Sequence, residues 1–225
     1  MNFIKLPKGS ILILEEEYVD KCVEKCANIL NKKFRDCENE VLLVCVLKGA
    51  TYFYVDLSRK LEFIHSCYFM EASLYKNCQV QSENVEILTH IDPSKFFGKK
   101  IILVDELYDT GHTLTNIKQH ILTHANVPVD DILTCTAFQK VKKNIIGTTG
   151  TIGTIGTMGV PDVCGMVLPD VWLIGYGLDD KQYFRNLKCL YACPKTDNVQ
   201  KTEDDKIFDD PEMYNKYRKC LKNNF

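Results

Sequence analysis

Apolar residues recur along the chain with two different periods. Six of them are spaced for one face of a helix, with Lys and Glu between them, and predict an amphipathic helix that ends near Lys33: Val19, Cys22, Val23, Cys26, Ile29 and Leu30. The run Val41–Leu47 is instead apolar at every position and rich in β-branched residues. Such a run predicts a strand that is buried on both faces, as in a parallel sheet.

Helices and strands continue to alternate after this strand. Further strands are predicted over Phe63–Tyr75, Ile101–Val104, Ile132–Phe138, Val171–Ile174 and Leu187–Ala192, and further helices over Ala50–Leu61, Leu114–Leu122 and Pro211–Leu221. The polar stretch Lys76–Lys100 contains Pro93 and has no clear period, which predicts a long loop or a hairpin. The alternation predicts an α/β domain with a mainly parallel twisted sheet flanked by helices.

Composition and charge narrow the class of protein. Hydrophobic residues make up 45% of the 225 positions and charged residues 26%, which is ordinary for a globular chain. The length suggests one compact domain with a small appendage. The net charge of −2 gives no general positive field for nucleic acid, so any phosphate must be bound by local donors. No apolar run approaches the roughly 18 residues that span a bilayer, and we expect no signal peptide in residues 1–17.

The chain contains 11 cysteines, an odd number that cannot pair completely. Cys45 lies within an apolar strand, where a free thiol acts as a small hydrophobe. The pairs Cys22/Cys26 and Cys189/Cys193 have three residues between them rather than the two of a typical zinc site. We therefore expect free thiols and a reducing, intracellular compartment.

Residues 147–159 repeat a Gly-Thr-X triplet and hold five of the 12 glycines. A flexible insertion and a stack of β-turns are both compatible with this pattern, and phosphate binding is a further alternative.

Charged and aromatic residues cluster where the predicted strands end. In parallel α/β sheets, ligands bind at the carboxyl ends of the strands, near a reversal of strand order. The residues that follow or flank the predicted buried strands are Lys48, Gly49, the segment Asp105–Thr113, Lys140, Trp172 and Asp179. Neither a GxxxxGK[ST] phosphate loop nor a GxGxxG motif occurs.

The segment Asp105–Thr113 has the chemistry of a sugar-phosphate site. It reads Asp-Glu-Leu-Tyr-Asp-Thr-Gly-His-Thr. Two carboxylates at a strand end accept hydrogen bonds from a diol or hold a divalent cation. The second half opens a helix, whose N–H groups, dipole and hydroxyls suit a phosphate dianion, and Gly111 allows close backbone approach.

Three segments resemble motifs of known enzymes. Ile101–Leu114 resembles the phosphoribosyl pyrophosphate-binding signature of the type I phosphoribosyltransferases. Val46–Gly49 is similar to the pyrophosphate loop of the hypoxanthine-guanine phosphoribosyltransferases, and Val171–Asp179, with Tyr183–Arg185, to their purine-end motif. The resemblance runs from about residue 10 to residue 195 and implies the type I phosphoribosyltransferase fold.

The resemblance implies one phosphoribosyltransferase domain over residues 1–225. Its core would span about 35–170, and a small hood would be built from about 1–35 and 171–225. The implied function is purine salvage: transfer of the phosphoribosyl group from phosphoribosyl pyrophosphate to a 6-oxopurine, guanine and/or hypoxanthine, which gives GMP or IMP and pyrophosphate. Mg²⁺ would be the cofactor, and we expect a cytoplasmic homo-oligomer, a dimer or tetramer, that binds neither nucleic acid nor membrane.

Two alternatives stay open. One is a non-catalytic purine or phosphoribosyl sensor on the same fold, and the other is a phosphoribosyltransferase for another base. The preference among guanine, hypoxanthine and xanthine is also left open.

The resemblance assigns a role to each matching residue. The implied phosphoribosyl pyrophosphate-binding residues are Lys48, Gly49, Asp105, Glu106, Asp109, Thr110, Gly111, His112, Thr113 and Arg185. Among them, Asp109 would be the catalytic base at purine N7. The implied purine-binding residues are Lys140 as donor to the 6-oxo group, Trp172 as stacking ring, Leu173 through its backbone, and Asp179. Asp105, Glu106 and Asp179 would be the magnesium ligands, and the peptide Leu47–Lys48 matches one that is cis in several members.

The chain departs from the family pattern at four places. The acidic pair is Asp-Glu instead of Glu-Asp, so either carboxylate is a candidate for the metal. His112 replaces a common Lys, which predicts weaker phosphate attraction as pH rises. Trp172 replaces Phe or Tyr, and Ser73-Leu74-Tyr75 stands where a Ser-Tyr pair closes the mobile loop.

Some assignments have structural alternatives. Lys140 has Lys142 and Lys143 as neighbours, so a surface lysine is the alternative there. Trp172 is an alternative core residue, and the roles of Lys48 and Arg185 rest mainly on the resemblance.

Overall fold

The computed structural model describes residues 4–76, 83–140, 160–195 and 202–223. Within these ranges the elements follow one another in the order β1 (Ile11–Leu14), α1 (Glu16–Phe34), β2 (Val41–Leu47), α2 (Thr51–Lys60), β3 (His65–Lys76), β4 (Glu83–Ile87), β5 (Lys100–Tyr108), α3 (His112–Ala125), β6 (Ile132–Lys140), β7 (Val163–Leu168), β8 (Trp172–Ile174), β9 (Leu190–Cys193) and α4 (Pro211–Lys222). Short 3-10 helices cover Pro93–Lys95, Val129–Asp131 and Glu203–Phe208.

Six strands form one sheet in the order β4-β3-β2-β5-β6-β7. The strands β3, β2, β5, β6 and β7 are parallel to one another, and the edge strand β4 is antiparallel to β3. From β2 the chain moves outward to β3 and β4, then returns to the other side of β2 as β5, so the strand order reverses between β2 and β5. The predicted mainly parallel α/β sheet is confirmed, and the hairpin β3–β4 decides between the two alternatives for Lys76–Lys100.

The centre of the sheet is buried on both faces. Successive residues of a strand point to opposite faces. On β2, Leu43 and Cys45 therefore pack in the core under α1 and α2, while Leu42 and Val44 pack in the core under α3. This double coverage explains why the run is apolar at every position.

The two ends of the chain meet in a second, antiparallel sheet with the order β1-β9-β8. The sequence predicted β8 and β9 but as members of the alternating α/β pattern, and it missed β1. The division into core and hood stays a prediction, and α1, which it assigns to the hood, packs against β6 and β7 of the large sheet. No helix in the described ranges is long and apolar enough to cross a membrane.

The strand β7 was also missed, and Gly165 in its middle is the reason, because glycine weakens a strand pattern. A Cβ on Gly165 would lie 2.6 Å from the Ala137 carbonyl oxygen and 2.8 Å from Cys22 Cβ. The glycine therefore lets α1 approach β7 closely.

Candidate active site

The carboxyl ends of β2, β5 and β6 carry the predicted site residues along one edge of the sheet. Strand pairing sets Cys45 opposite Val104 and Tyr108 opposite Gln139, so the three strands end side by side. The strand order reverses between β2 and β5, and at such a point an α/β sheet has a crevice outside the carboxyl ends of its strands. The strands β5 and β6 run further than predicted. Asp105 is still part of β5, where it pairs with Thr136 of β6, and β6 ends at Lys140.

The turn after β2 lies directly against the end of β5. A Cβ on Gly49 would overlap Glu106 Oε1, so only glycine leaves room for this carboxylate. A Cβ on Gly177, whose φ is +98°, would in turn overlap the Gly49 carbonyl oxygen. The peptide Leu47–Lys48 is cis, as expected. Three distant segments thus meet around the Glu106 side chain.

Asp105 and Glu106 form a largely buried acidic pair. Asp105 is 8% exposed, and its Oδ1 accepts a hydrogen bond from the Glu106 backbone N–H at 3.0 Å. Burial first, and then the neighbouring Glu106 carboxylate, raise the pKa of Asp105 well above its usual range. Glu106 Oε2 is buried and has no hydrogen-bond partner among the described residues. A cation or a pair of hydroxyl donors would satisfy this site.

The turn Asp109–Thr113 leads from β5 into α3. Gly111 has a φ of +78°, and a Cβ there would overlap the Tyr108 hydroxyl. Because α3 begins at His112, the N–H groups of its first turn point out of the helix end, where they and the dipole favour an anion. Thr110 Oγ1 accepts from the His112 N–H at 3.4 Å, which holds a hydroxyl beside this anion site.

Lys140 is buried between two carboxylates. Its side chain is 8% exposed, and Nζ lies 3.4 Å from Asp109 Oδ2 and 3.7 Å from Asp170 Oδ1. The alternative of a surface lysine is therefore wrong. Lys142 and Lys143 lie outside the described residues.

Trp172 begins β8 and is 40% exposed, so the alternative of a core tryptophan is wrong. The next residue, Leu173, is buried and pairs with Ala192 of β9. The exposed ring is available to a planar ligand, since aromatic rings stack on one another in an offset geometry.

Charged side chains of the loop between β8 and β9 pair with other groups of the same loop. Arg185 Nη2 lies 2.6 Å from Asp179 Oδ1, and Nη1 donates to the Gly177 carbonyl at 2.6 Å. The Tyr176 hydroxyl donates to Asp56 Oδ2 at 2.8 Å, which ties the loop to α2.

The three predicted magnesium ligands are not brought together as one centre. Asp179 is occupied by Arg185, and in the described part of the chain no group of three or more His, Cys, Asp or Glu is arranged to hold a metal ion. Mg²⁺ typically takes one or two protein carboxylates and completes its shell with water and substrate phosphates. The hard oxygen pair of Asp105 and Glu106 fits that requirement.

Lys48 and Glu71 make a long contact of 3.9 Å near the end of β2, and both side chains are exposed. Solvent therefore screens the attraction between the Lys48 ammonium and the Glu71 carboxylate.

Sequence reasoning missed Asp170, Gly177 and Tyr108. A signal for Asp170 existed: it follows β7, whose last residue Leu168 pairs with Lys140. Recognition of β7 would have placed Asp170 at the same sheet edge. The other two are defined by contacts that only folding creates.

Two predicted features are not covered by the structure. The Gly-Thr triplets of 147–159 lie outside the described residues. Ser73-Leu74-Tyr75 belongs to the backbone of β3, but its side chains lie outside the described part.

Comparison with known proteins gives a consistent family. The model of the phosphoribosyl transferase domain matches residues 15–142, more than half of the chain. A hypoxanthine-guanine phosphoribosyltransferase of Aquifex aeolicus is 29% identical over 180 residues, covering 80% of this chain and 92% of the relative. A hypoxanthine phosphoribosyltransferase of Buchnera aphidicola subsp. Schizaphis graminum is 26% identical over 176 residues, covering 78% and 91%. A solved hypoxanthine-guanine phosphoribosyltransferase from Bacillus anthracis superimposes with a TM-score of 0.62 at 26% identity, covering 80% and 95%.

Proposed function

The chain belongs to the phosphoribosyl transferase family, and from this premise we propose that it is a purine salvage enzyme. It transfers the phosphoribosyl group from phosphoribosyl pyrophosphate to a 6-oxopurine, guanine and/or hypoxanthine, and releases pyrophosphate. The observation that carries the proposal is the buried Lys140, 3.4 Å from Asp109 and next to the anion site of α3. The names of the relatives support the same substrate class.

At the base end, Lys140 and Asp109 supply complementary groups. The Lys140 ammonium has only donors, so it suits an oxo group of the purine. Asp109 carries a carboxylate at the strand-to-helix turn and accepts the proton that the purine ring nitrogen loses. Trp172 offers the exposed ring on which the base stacks, and the Leu173 backbone lies at the edge of the base.

At the sugar end, the turn and the acidic pair divide the substrate between them. The N–H groups and hydroxyls of Asp109–Thr113 bind the 5′-phosphate. Asp105 and Glu106 accept hydrogen bonds from the ribose hydroxyls, which places donors against the buried Glu106 Oε2.

The leaving pyrophosphate is bound by Lys48, the Gly49 backbone and Arg185. Their positive charge and N–H donors stabilise the charge that develops as the anomeric bond breaks. Magnesium, if bound, would neutralise part of the pyrophosphate charge, and Asp105 and Glu106 are the residues that would hold it. The third predicted ligand, Asp179, is paired with Arg185 instead.

The test is a panel of bases assayed for pyrophosphate release. We expect release with guanine or hypoxanthine and none with adenine or uracil. Lys140→Met is the matched variant, because it keeps the length of the stem and removes the donor to the oxo group. Nucleotide binding without any pyrophosphate release would identify a sensor, and release with a pyrimidine would identify a transferase for another base.

Compartment and assembly are extensions of the same proposal. Cys22, Cys26, Cys45 and Cys135 are buried free thiols, and such thiols are typical of reducing compartments, which supports the cytoplasm. Assembly into a dimer or tetramer stays a prediction, measurable by light scattering.

A further inference from the structure

Residues 202–222 dock on the loop between β7 and β8. Asp204 Oδ2 accepts a hydrogen bond from the Asp170 N–H at 2.9 Å, and the Asp170 carbonyl accepts one from Thr202 Oγ1 at 2.8 Å. Both polar backbone atoms of Asp170 are therefore bound by the C-terminal segment. This segment lies outside residues 15–142, the part matched by the family model.

Asp204 is held in place by a second contact. The Tyr217 hydroxyl, on α4, donates to Asp204 Oδ1 at 2.5 Å. Asp204 is 6% exposed, and a carboxylate buried to this degree needs hydrogen-bond donors in place of water. The two bonds to Asp204 thus connect α4 to Asp170 through one buried group.

A buried ion pair fixes the start of the same segment. Lys195 Nζ lies 3.0 Å from Asp205 Oδ2, and this carboxylate also accepts from the Thr202 N–H at 2.5 Å. Thr202 and Asp205 together form a capping box at the 3-10 helix Glu203–Phe208. The position of Thr202 against Asp170 is therefore set by the segment itself.

Asp170 in turn reaches the base end of the site in two ways. Its carboxylate lies 3.7 Å from Lys140 Nζ, and Lys140 contacts Asp109. Two residues further along the chain, Trp172 begins β8. A shift of Asp170 would therefore change the positions of both the Lys140 ammonium and the Trp172 ring.

We infer that the C-terminal segment 202–222 is a positioning element for purine binding, which acts through Asp170 on Lys140 and Trp172. Tyr217, Asp204 and Thr202 are positioning residues, since the contacts that link them to Lys140 and Trp172 pass through Asp170. The inference deepens the proposed function and rests on it for the identity of the base.

The segment has another attachment that provides a matched control. Arg218 and Lys222, also on α4, bind Glu15 at the start of α1, with 2.9 Å between Lys222 Nζ and Glu15 Oε1. The attachment through Glu15 stabilises the docking of α4 but does not include Asp170.

The experiment compares Tyr217→Phe and Asp204→Asn with the control Lys222→Met in the full-length chain. The first two variants should raise KM for guanine or hypoxanthine roughly five- to tenfold, the effect expected when a typical intramolecular hydrogen bond is lost. KM for phosphoribosyl pyrophosphate should stay within about twofold, because Asp170 lies at the base end. Lys222→Met should leave both constants unchanged even if it lowers the melting temperature.

The emission of Trp172, the only tryptophan in the chain, is the readout that does not depend on activity. In the protein without substrate, its maximum or intensity should change in Tyr217→Phe and Asp204→Asn but not in Lys222→Met. Unchanged emission and unchanged KM for the base in the two variants would overturn the inference, as would equal changes in the control. If the base panel shows no turnover, the emission alone decides the inference, so the two proposals fail separately.

Discussion

Lys140 belongs to a residue type common at surfaces, but here it is buried between two carboxylates. Its Nζ has Asp109 and Asp170 within 4 Å, and its side chain is 8% exposed. Removing an ammonium from water is costly unless opposite charges and hydrogen bonds replace the hydration. The two carboxylates supply that replacement, so the ammonium is stabilised at the position where we propose that it binds the oxo group.

Asp109 is the residue we expect to take the proton from the base. Asp109→Asn keeps the size and the acceptor toward Lys140 but removes the basic carboxylate. We expect turnover to fall by about 10²–10⁴, the usual range for general acid–base catalysis. Steady-state pyrophosphate release measures the effect, and GMP titration of the same variant serves as the control, with affinity changed only modestly. Turnover within a few-fold of wild type would remove Asp109 from this role.

The raised pKa of Asp105 predicts a conflict between stability and function. The fold favours the protonated carboxyl group, whereas the proposed function uses the carboxylate. Its pKa is raised in the folded protein by burial and by Glu106, so folding is most favourable where the carboxyl is protonated in both states. The contribution of Asp105 to the free energy of unfolding is therefore fully present below about pH 4, the pKa of the group in the unfolded chain. This contribution is lost as pH rises through the higher pKa of the folded protein.

Asp105→Asn removes this loss while keeping the acceptor for the Glu106 N–H. At pH 8 we expect a gain of about 1 kcal/mol, a rise in melting temperature of roughly 2–4 °C for a chain of this size, together with lost activity. Near pH 4 the difference from wild type should shrink. Thermal unfolding at the two pH values measures it, and a variant less stable than wild type at pH 8 would contradict the account.

At the scale of elements, the turn after β2 and the end of β5 form one interlocked unit. Gly49 leaves the space in which the Glu106 carboxylate lies, and its carbonyl fits against Gly177. Neither element alone defines the geometry of the acidic pair, because the two are held together by the parallel pairing of β2 with β5.

Gly49→Ala tests this unit. The new methyl group would displace the Glu106 carboxylate, so we expect KM for phosphoribosyl pyrophosphate to rise about tenfold or more, a loss of roughly 1.4 kcal/mol. KM for the base and the melting temperature should change little, because the displaced group is a flexible side chain. Gly98→Ala is the control for an added methyl group outside the site, since a Cβ there meets nothing within 4 Å. Because Gly98 has a φ of +72° and Gly49 has no positive φ, the control lowers the melting temperature through backbone strain but leaves KM for phosphoribosyl pyrophosphate unchanged. Equal effects of the two substitutions on KM would contradict the assignment.

At the scale of the whole molecule, the site exists because the strand order reverses. The chain crosses from β4 at one edge back to β5 beside β2, and the resulting crevice collects groups from four strand ends and from the loop between β8 and β9. The formal net charge of −2 shows that the attraction for a highly anionic substrate is local. A bound cation would add to the positive charge of Lys48 near the acidic pair.

We therefore predict a strict requirement for a divalent metal. Excess chelator should abolish pyrophosphate release and added Mg²⁺ should restore it, because the pyrophosphate leaving group needs charge neutralisation. Emission of Trp172 in the free protein should be unaffected by chelator, which separates loss of activity from loss of fold. Full product formation in excess chelator would refute this requirement.

Much of this architecture follows from local sequence patterns. Val41–Leu47 coincides with β2 because both faces of a central parallel strand must be apolar. The Asp105–Thr113 sequence carries its own acidic pair, glycine turn and helix start, since strand ends and helix N-termini depend on neighbouring residues. The sequence alone thus determined the fold class and the sheet edge at which the candidate site residues lie.

Other features were decided only by tertiary structure. The burial of Lys140 and the role of Asp170 depend on β7, whose central Gly165 hides its strand pattern. Asp179 is bound by Arg185 rather than grouped with Asp105 and Glu106, which no spacing along the chain reveals. Two hydrogen bonds, from the Thr202 hydroxyl to the Asp170 carbonyl and from the Asp170 N–H to the Asp204 carboxylate, join residues more than thirty positions apart. Such contacts follow from the packing of whole elements, because local sequence sets which groups are present while the fold sets which of them meet.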